Sequence, residues 1–320
     1  MGSLLEVQHL KKYYTTGSGV LHAVDDVSFS LDAGKTLGVV GESGCGKSTL
    51  GKVILRLEAP TSGSVQFEET EITTLGPGAF KHYRKEMQMI FQDPFASLNP
   101  RMSVRQIIAE PFDVHPDLCP KKEVDERVEE LMETVGLAKR FANSYPHELD
   151  GGRRQRIGIA RALAMKPKFI VCDEPVSALD VSIQAQILNL LQDLQEQFGM
   201  AYLFITHDMS VVKHISDEIC VMYLGQAVEK CETGELFRNT LHPYTQALLS
   251  AIPVPSLHNR RQKILLKGEL SSPIDPKPGC RFAVRCPYAT QACHHTTPEL
   301  KEVCPGHLVA CHRTGEGEAR

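Results

Sequence analysis

The sequence predicts an α/β fold built on a mostly parallel sheet, and three observations carry that prediction. Short apolar runs alternate with helix-compatible stretches, the pattern of strands joined by helical crossovers. One such run, Leu37-Gly38-Val39-Val40, leads directly into Gly41-Glu42-Ser43-Gly44-Cys45-Gly46-Lys47-Ser48-Thr49, and a helix-compatible run follows from Thr49. Another, Lys168-Phe169-Ile170-Val171-Cys172, ends in the paired carboxylates Asp173 and Glu174. The glycine-rich stretch is G-x-x-x-x-G-K-[ST] in its strand–loop–helix setting, where glycines let backbone N–H groups and a helix N-terminus wrap closely around an anion. Lys47 is expected to reach the β- and γ-phosphates, and Ser48 to place its hydroxyl on Mg²⁺. The motif implies a nucleoside triphosphate ligand and a P-loop NTPase sheet.

Composition narrows the class. With 320 residues, 42% hydrophobic and 23% charged, the chain has ample core for one large or two modest globular domains. A net charge of −4 gives no support for a nucleic-acid partner. No apolar run reaches the roughly 18 residues of a membrane span, and the N-terminus lacks a signal-peptide pattern. The expectation is a soluble intracellular protein that reaches a membrane only through a partner. Of ten cysteines, Cys280, Cys286, Cys293, Cys304 and Cys311 crowd the tail, which in a reducing compartment points to metal before disulfides.

Taken in order, residues 4–9 and 24–31 read as short strands of a half-exposed antiparallel pair, an edge subdomain. Between them, Tyr13 or Tyr14 could stack on a base or pack on the sheet edge. A helix to about Leu57, a turn at Pro60–Ser64 and a strand at Val65–Phe67 follow the loop. The strand Met87–Phe91 ends at Gln92, where polar groups meet ligands in α/β sheets, or where a loop amide is simply satisfied. Residues 103–143 read as helical around Val124, Val128, Leu131 and Val135, an inserted helical subdomain. Leu149-Asp150-Gly151-Gly152-Arg153 opens a helix to about Ala164. At the end of the apolar strand, Asp173 suits Mg²⁺ and Glu174 suits orienting or deprotonating water. Asp180 begins a long amphipathic helix, Ile183 to Phe198, and the strand Ala201–Ile205 ends at His207, a structural histidine or a γ-phosphate donor. Cys220–Leu224 and Gln226–Lys230 read as a hairpin. Beyond His242, prolines at 253, 255, 273, 276 and 278 predict a loop-rich C-terminal extension with frayed residues 314–320.

The phosphate loop, Gln92, the Gly151-Gly152 motif, Asp173-Glu174 and His207, in that order, resemble the nucleotide-binding subunits of ABC transporters over about residues 4–250. Phe91-Gln92-Asp93-Pro94-Phe95-Ala96-Ser97-Leu98-Asn99-Pro100, His242-Pro243-Tyr244 and the cysteine tail are similar to the oligopeptide/dipeptide/nickel importer ATPases. The resemblance implies a nucleotide-binding domain over 1–240, with its helical insertion at about 93–165, and an extension over 241–320. It makes Tyr14 the base-stacking aromatic, with Gly41, Ser43, Gly44, Cys45, Gly46, Lys47, Ser48 and Thr49 as the phosphate cradle. Gln92 becomes the sensor of metal and water, Asp173 the Mg²⁺ ligand, Glu174 the catalytic base, His207 the γ-phosphate switch and Asp180 part of a loop that communicates across a dimer. Asp150, Gly151 and Gly152 would face the partner's ATP. Implied partners are a related ATPase subunit in a heterodimer, two membrane permease subunits and, indirectly, an extracytoplasmic solute-binding protein. The chain would sit peripherally on the cytoplasmic face and energise import of di- or oligopeptides. A nickel or metal-chelate importer is the alternative cargo class, and a soluble non-transport ABC ATPase a more distant one.

Asp150 departs from the serine usual in that family. An ionised carboxylate cannot donate to a phosphate, and repulsion at about 4 Å with an effective dielectric near 20 is about 4 kcal/mol per charge pair. Either the paired site is weak, with Arg153 offsetting part of the charge, or Asp150 only caps its helix. The spacing Cys280-x5-Cys286-x6-Cys293-x17-Cys311 fits neither a zinc ribbon nor a ferredoxin. The resemblance implies a [4Fe–4S] cluster on those four, with Cys304 a spare or substitute. A zinc site drawing on His294, His295, His307 or His312 stands as the alternative, as do unligated thiols.

Overall fold

The computed structural model describes residues 2–252, 263–266 and 272–315. Prolines 253 and 255, and residues 316–320 of the expected frayed end, lie outside the described residues. In chain order the elements are β1 (Leu5–Thr16), β2 (Gly19–Leu31), β3 (Thr36–Val40), α1 (Lys47–Ile54), β4 (Ser62–Phe67), β5 (Thr70–Glu71), α2 (Pro77–Glu86), β6 (Met87–Ile90), α3 (Pro94–Ser97), α4 (Val104–Val114), α5 (Val124–Thr134) and α6 (Gly151–Leu163). There follow β7 (Phe169–Asp173), α7 (Val181–Phe198), β8 (Ala201–Thr206), α8 (Met209–Ile215), β9 (Glu218–Tyr223), β10 (Gln226–Glu232), α9 (Thr233–Arg238), α10 (Pro243–Ser250), α11 (Gln291–His295), β11 (Lys301–Cys304) and β12 (His307–Val309). The chain forms two units, one of residues 1–74 with 204–320 and one of residues 75–203.

The first unit holds an antiparallel sheet in the order β2-β1-β4-β5 and a run of strands in the order β11-β12-β10-β9-β3. In the latter, β3 and β9 pair in parallel, while β9, β10, β12 and β11 pair antiparallel. Every residue of β3 is buried, as a parallel strand covered on both faces requires. A Cβ on Gly38 would lie 2.0 Å from Val212 Cγ2, so α8 seats directly on β3 at that glycine. Sequence reading made the first hairpin too short. Leu10 to Tyr14, expected in a connection, continue β1 through irregular register between Val7 and Tyr13, with His9 at φ +48°.

The tail is more ordered than its prolines suggested. β12 adds to β10, pairing Glu229 with Val309 and Lys230 with Leu308, and β11 adds to β12. Beneath them, Tyr223, Tyr244 and Phe282 form one core cluster with Val40 and Leu236. The carboxylate of Glu229, fully buried, accepts from Leu241 N (2.7 Å), His242 N (3.2 Å) and His307 Nε2 (2.9 Å), tying β10 to the start of α10 and to β12.

The second unit holds β6 and β7 in parallel with the inserted helices. Ser103 and Gln106 form a capping box that starts α4, and α5 buries Val128, Leu131 and Met132 on one face. α7 buries Ile187, Leu188, Leu191 and Leu194 and stops at Gly199 in the left-handed conformation.

Candidate functional site

In the first unit, β3 delivers the chain into the phosphate loop, and α1 leaves it with Leu50 N donating to Gly46 O at 2.9 Å. The loop's curvature depends on glycine at two points. Gly41 has φ +156°, and a Cβ there would lie 2.2 Å from Met222 O; Gly46 has φ +103°, and a Cβ there would lie 1.9 Å from Ala23 O. A backbone cradle that any side chain would fill matches the close approach a polyphosphate needs. Lys47 is 4% exposed, and its ammonium donates to Gly41 O (2.8 Å) and Glu42 O (3.1 Å), inside the loop. Burial pushes the Cys45 thiol up, which keeps it protonated and inert.

The two tyrosines separate by environment. Tyr13 stacks on His22, ring centroids 3.9 Å apart, and its hydroxyl donates to Asp25. Tyr14 is half-buried, with its hydroxyl on the Glu58 carboxylate and the Lys12 ammonium 4.7 Å from its ring centroid. Burial, then the bond to Glu58, raises the Tyr14 phenol to about 12. His207, exposed, stands between the end of β8 and the N-cap Asp208, which accepts from Ser210 N (2.7 Å) to start α8.

In the second unit, β7 ends at Asp173, 5% exposed, and Glu174 follows in the left-handed region at φ +45°. That conformation costs a non-glycine residue of order 1–3 kcal/mol and is typical of functional sites. It is held by a tight turn, since the Glu174 carbonyl accepts from Ser177 N (3.2 Å) and Ser177 Oγ (3.1 Å). Gln92 Nε2 donates to Glu174 Oε2 at 3.0 Å, so two residues separated by 82 positions meet. Asp150 is the N-cap of α6. One carboxylate oxygen accepts from Arg153 N and the other pairs with Arg153 NH1, both at 2.8 Å. Gly152 lies against α7, where a Cβ would be 2.6 Å from Ile183 Cγ2, so this glycine is demanded by helix packing. Asp180 precedes α7 without a side-chain cap.

The tail's four expected ligands converge. Cys280, Cys286, Cys293 and Cys311 all line one narrow cavity, with His242, Phe282 and His312, while Cys304 is exposed on β11 and outside it. Burial, reinforced by the neighbouring Cys293, Cys311 and Cys286, pushes the Cys280 thiol up to about 11; burial likewise raises Cys286 and Cys311. Among the described residues, however, no three His, Cys, Asp or Glu side chains form a group that could hold a metal ion. The expected [4Fe–4S] or zinc centre is therefore not present as a ready-made ligand set. Of the histidine alternatives, His307 donates to buried Glu229, and His312, which lines the same cavity, donates to Thr296 O through Nε2 at 2.8 Å.

Sequence reading missed what the tail does to the loop. Arg285 forms a two-bond ion pair with Glu42 (2.6 and 3.0 Å), and Tyr244 Oη accepts from Glu42 N at 2.8 Å. Arg281 bonds Asp25 and Leu224 O. Nothing local in the sequence signals a contact across 243 positions.

Comparison with known proteins adds lineage. Residues 24–177 match the ABC transporter family model, and residues 228–293 match the model of the oligopeptide/dipeptide transporter C-terminal region. The chain is 54% identical over 320 residues to the oligopeptide transport ATP-binding protein AppF of Bacillus subtilis (strain 168), covering 97% of each. It is 49% identical over 310 residues to a Brucella ovis relative provisionally named a peptide import ATP-binding protein, covering 97% of this chain and 98% of the relative. Among solved structures, the dimeric ATP-binding cassette MJ0796 bound to ADP and Pi superimposes with a TM-score of 0.66 at 28% identity, covering 72% of this chain and 98% of that one. The cassette cbiO1 of Clostridium perfringens, part of the transporter complex cbiONQ, gives 0.67 at 27% identity, covering 75% and 92%. Among the described residues no helix is long and apolar enough to cross a membrane.

Proposed function

The chain belongs to the ATP-binding subunits of ABC transporters, in their oligopeptide/dipeptide branch, and we propose that it hydrolyses ATP to energise import of di- or oligopeptides. It is an ATPase of the peptide-transporting type. The observation that carries the chemistry is the Gln92–Glu174 hydrogen bond beside the buried Asp173 at the tip of β7. The amide fixes the Glu174 carboxylate, whose second oxygen can orient and deprotonate the attacking water. Lys47 exchanges its loop carbonyls for the β- and γ-phosphates, and His207 donates to the γ-phosphate. Tyr14, its hydroxyl anchored on Glu58, offers a ring to the base. Mg²⁺ would neutralise charge on the β- and γ-oxygens, and the resemblance assigns it oxygen ligands from Ser48 in the first unit and from Asp173 and Gln92 in the second.

The finer reading is an assembly with a related but distinct ATPase subunit, two permease subunits and an external solute-binding protein, the chain lying peripherally on the cytoplasmic face. Each ATP would be completed by the other chain's glycine motif, here Gly151 and Gly152. Asp150 lacks a hydroxyl to donate. Arg153 engages its carboxylate, so lost donation weighs more than the repulsion first expected, and the site using this motif would be the slower one. Four thiols on one cavity support a [4Fe–4S] cluster on Cys280, Cys286, Cys293 and Cys311. A single zinc ion needs its sulfurs at about 2.3 Å, whereas a cluster spreads four thiolates around a larger core. Such a cluster would supply a structural staple, replacing the protons that burial favours on the Cys280, Cys286 and Cys311 thiols.

Glu174→Gln tests the main reading. ATP should still bind, turnover should fall roughly 10²–10⁴-fold, and peptide uptake should cease; normal uptake in that variant would overturn it.

A further inference from the structure

Glu42 is an awkward residue for its position. It is the first residue after Gly41 in a loop whose backbone receives a triphosphate, and its carboxylate adds negative charge where the ligand brings more. The structure supplies the compensation from the far end of the chain. Arg285, 9% exposed at the side chain, meets the Glu42 carboxylate with both terminal nitrogens, the geometry that fixes direction as well as charge. Tyr244, fully buried, fixes the same residue's backbone, since Glu42 N donates to Tyr244 Oη. Lys47 donates to Glu42 O, so the residue that Arg285 holds is also one that positions the loop's lysine. The neighbouring Arg281 braces the loop from the other side: it bonds Leu224 O, and the next residue, Gly225, donates to Cys45 O at 2.8 Å.

We propose that Arg285 is a positioning residue of the nucleotide site, cancelling the Glu42 charge and fixing the start of the phosphate loop, so that the C-terminal extension sets the chain's affinity for nucleoside triphosphate. The proposal rests on the loop being the ATP site. It gives the extension a function beside any structural one, because the segment from Cys280 to Cys286 that lines the cysteine cavity is also the segment that carries both arginines.

The experiment measures binding of a fluorescent ATP analogue to the full chain, and KM and kcat of the assembled transporter. Arg285→Ala leaves the Glu42 charge unopposed and should weaken binding about tenfold, with KM rising and kcat held. The deficit should shrink at high salt, because the Glu42 carboxylate is a quarter exposed and salt screens part of its repulsion. Arg285→Ala combined with Glu42→Gln should recover most of the affinity lost in Arg285→Ala. A merely structural arginine would not be rescued by removing its partner's charge. Wild-type affinity in Arg285→Ala, or an equal loss with and without Glu42→Gln, would overturn the proposal. Failure of the wild-type chain to bind ATP would instead overturn the reading of the loop on which it rests.

Discussion

Glycines 41 and 46, Lys47 and the acidic pair at 173 and 174 stand out by residue type and spacing, because the chemistry expected of them is local to a strand–loop–helix or a strand tip. What each side chain touches does not. Asp150 caps α6 through Arg153 N and pairs with Arg153 NH1, contacts that residue type alone does not give. His242 is a clearer case still. Fully buried, it accepts from Tyr244 N through Nδ1 at 3.1 Å, which requires the neutral ring, and burial lowers its pKa from 6.5 to about 4. The unfolded chain takes up this proton near pH 6.5 and the folded chain only near pH 4, so stability falls with pH across that window. Between pH 7 and pH 5 the loss from this residue is about 2 kcal/mol. Urea titrations at both pH values should show a smaller drop for His242→Asn, which keeps a capping side chain; an unchanged drop would contradict the assignment.

Elements were legible where their periodicity was strong. The buried stripe of α7 and the all-apolar β3 follow from short-range pattern. The length of β1 did not, because a strand with irregular register breaks the alternation by which strands are recognised. α6 carries the element-scale prediction. Its cap tolerates serine as well as aspartate, so Asp150→Ser should leave thermal stability nearly unchanged. In a Glu174→Gln background, residual ATP turnover reports the site that uses this chain's glycine motif. There Asp150→Ser should raise it about tenfold by restoring a donor. Unchanged residual turnover, or equal hydrolysis at both sites of the wild-type transporter, would sink the unequal-site reading.

At the scale of the whole molecule, the tail is where sequence and structure part most. Its prolines promised loops, yet β12 joins β10, Glu229 knits three elements, and two arginines reach the phosphate loop. Iron and acid-labile sulfide should be present in anaerobically purified protein at about four each per chain, and Cys286→Ser should lose both. One zinc without sulfide would refute the cluster. The sequence by itself determined the ligand class and where the phosphate loop and the strand-tip carboxylates stand, because both are written in contiguous residues. Only the tertiary structure decided that Glu42 is neutralised by Arg285, that Gln92 meets Glu174, and that four distant thiols share one cavity. Those contacts join residues far apart in the chain, and pairings at such separations are set by how the elements pack, which no local pattern records.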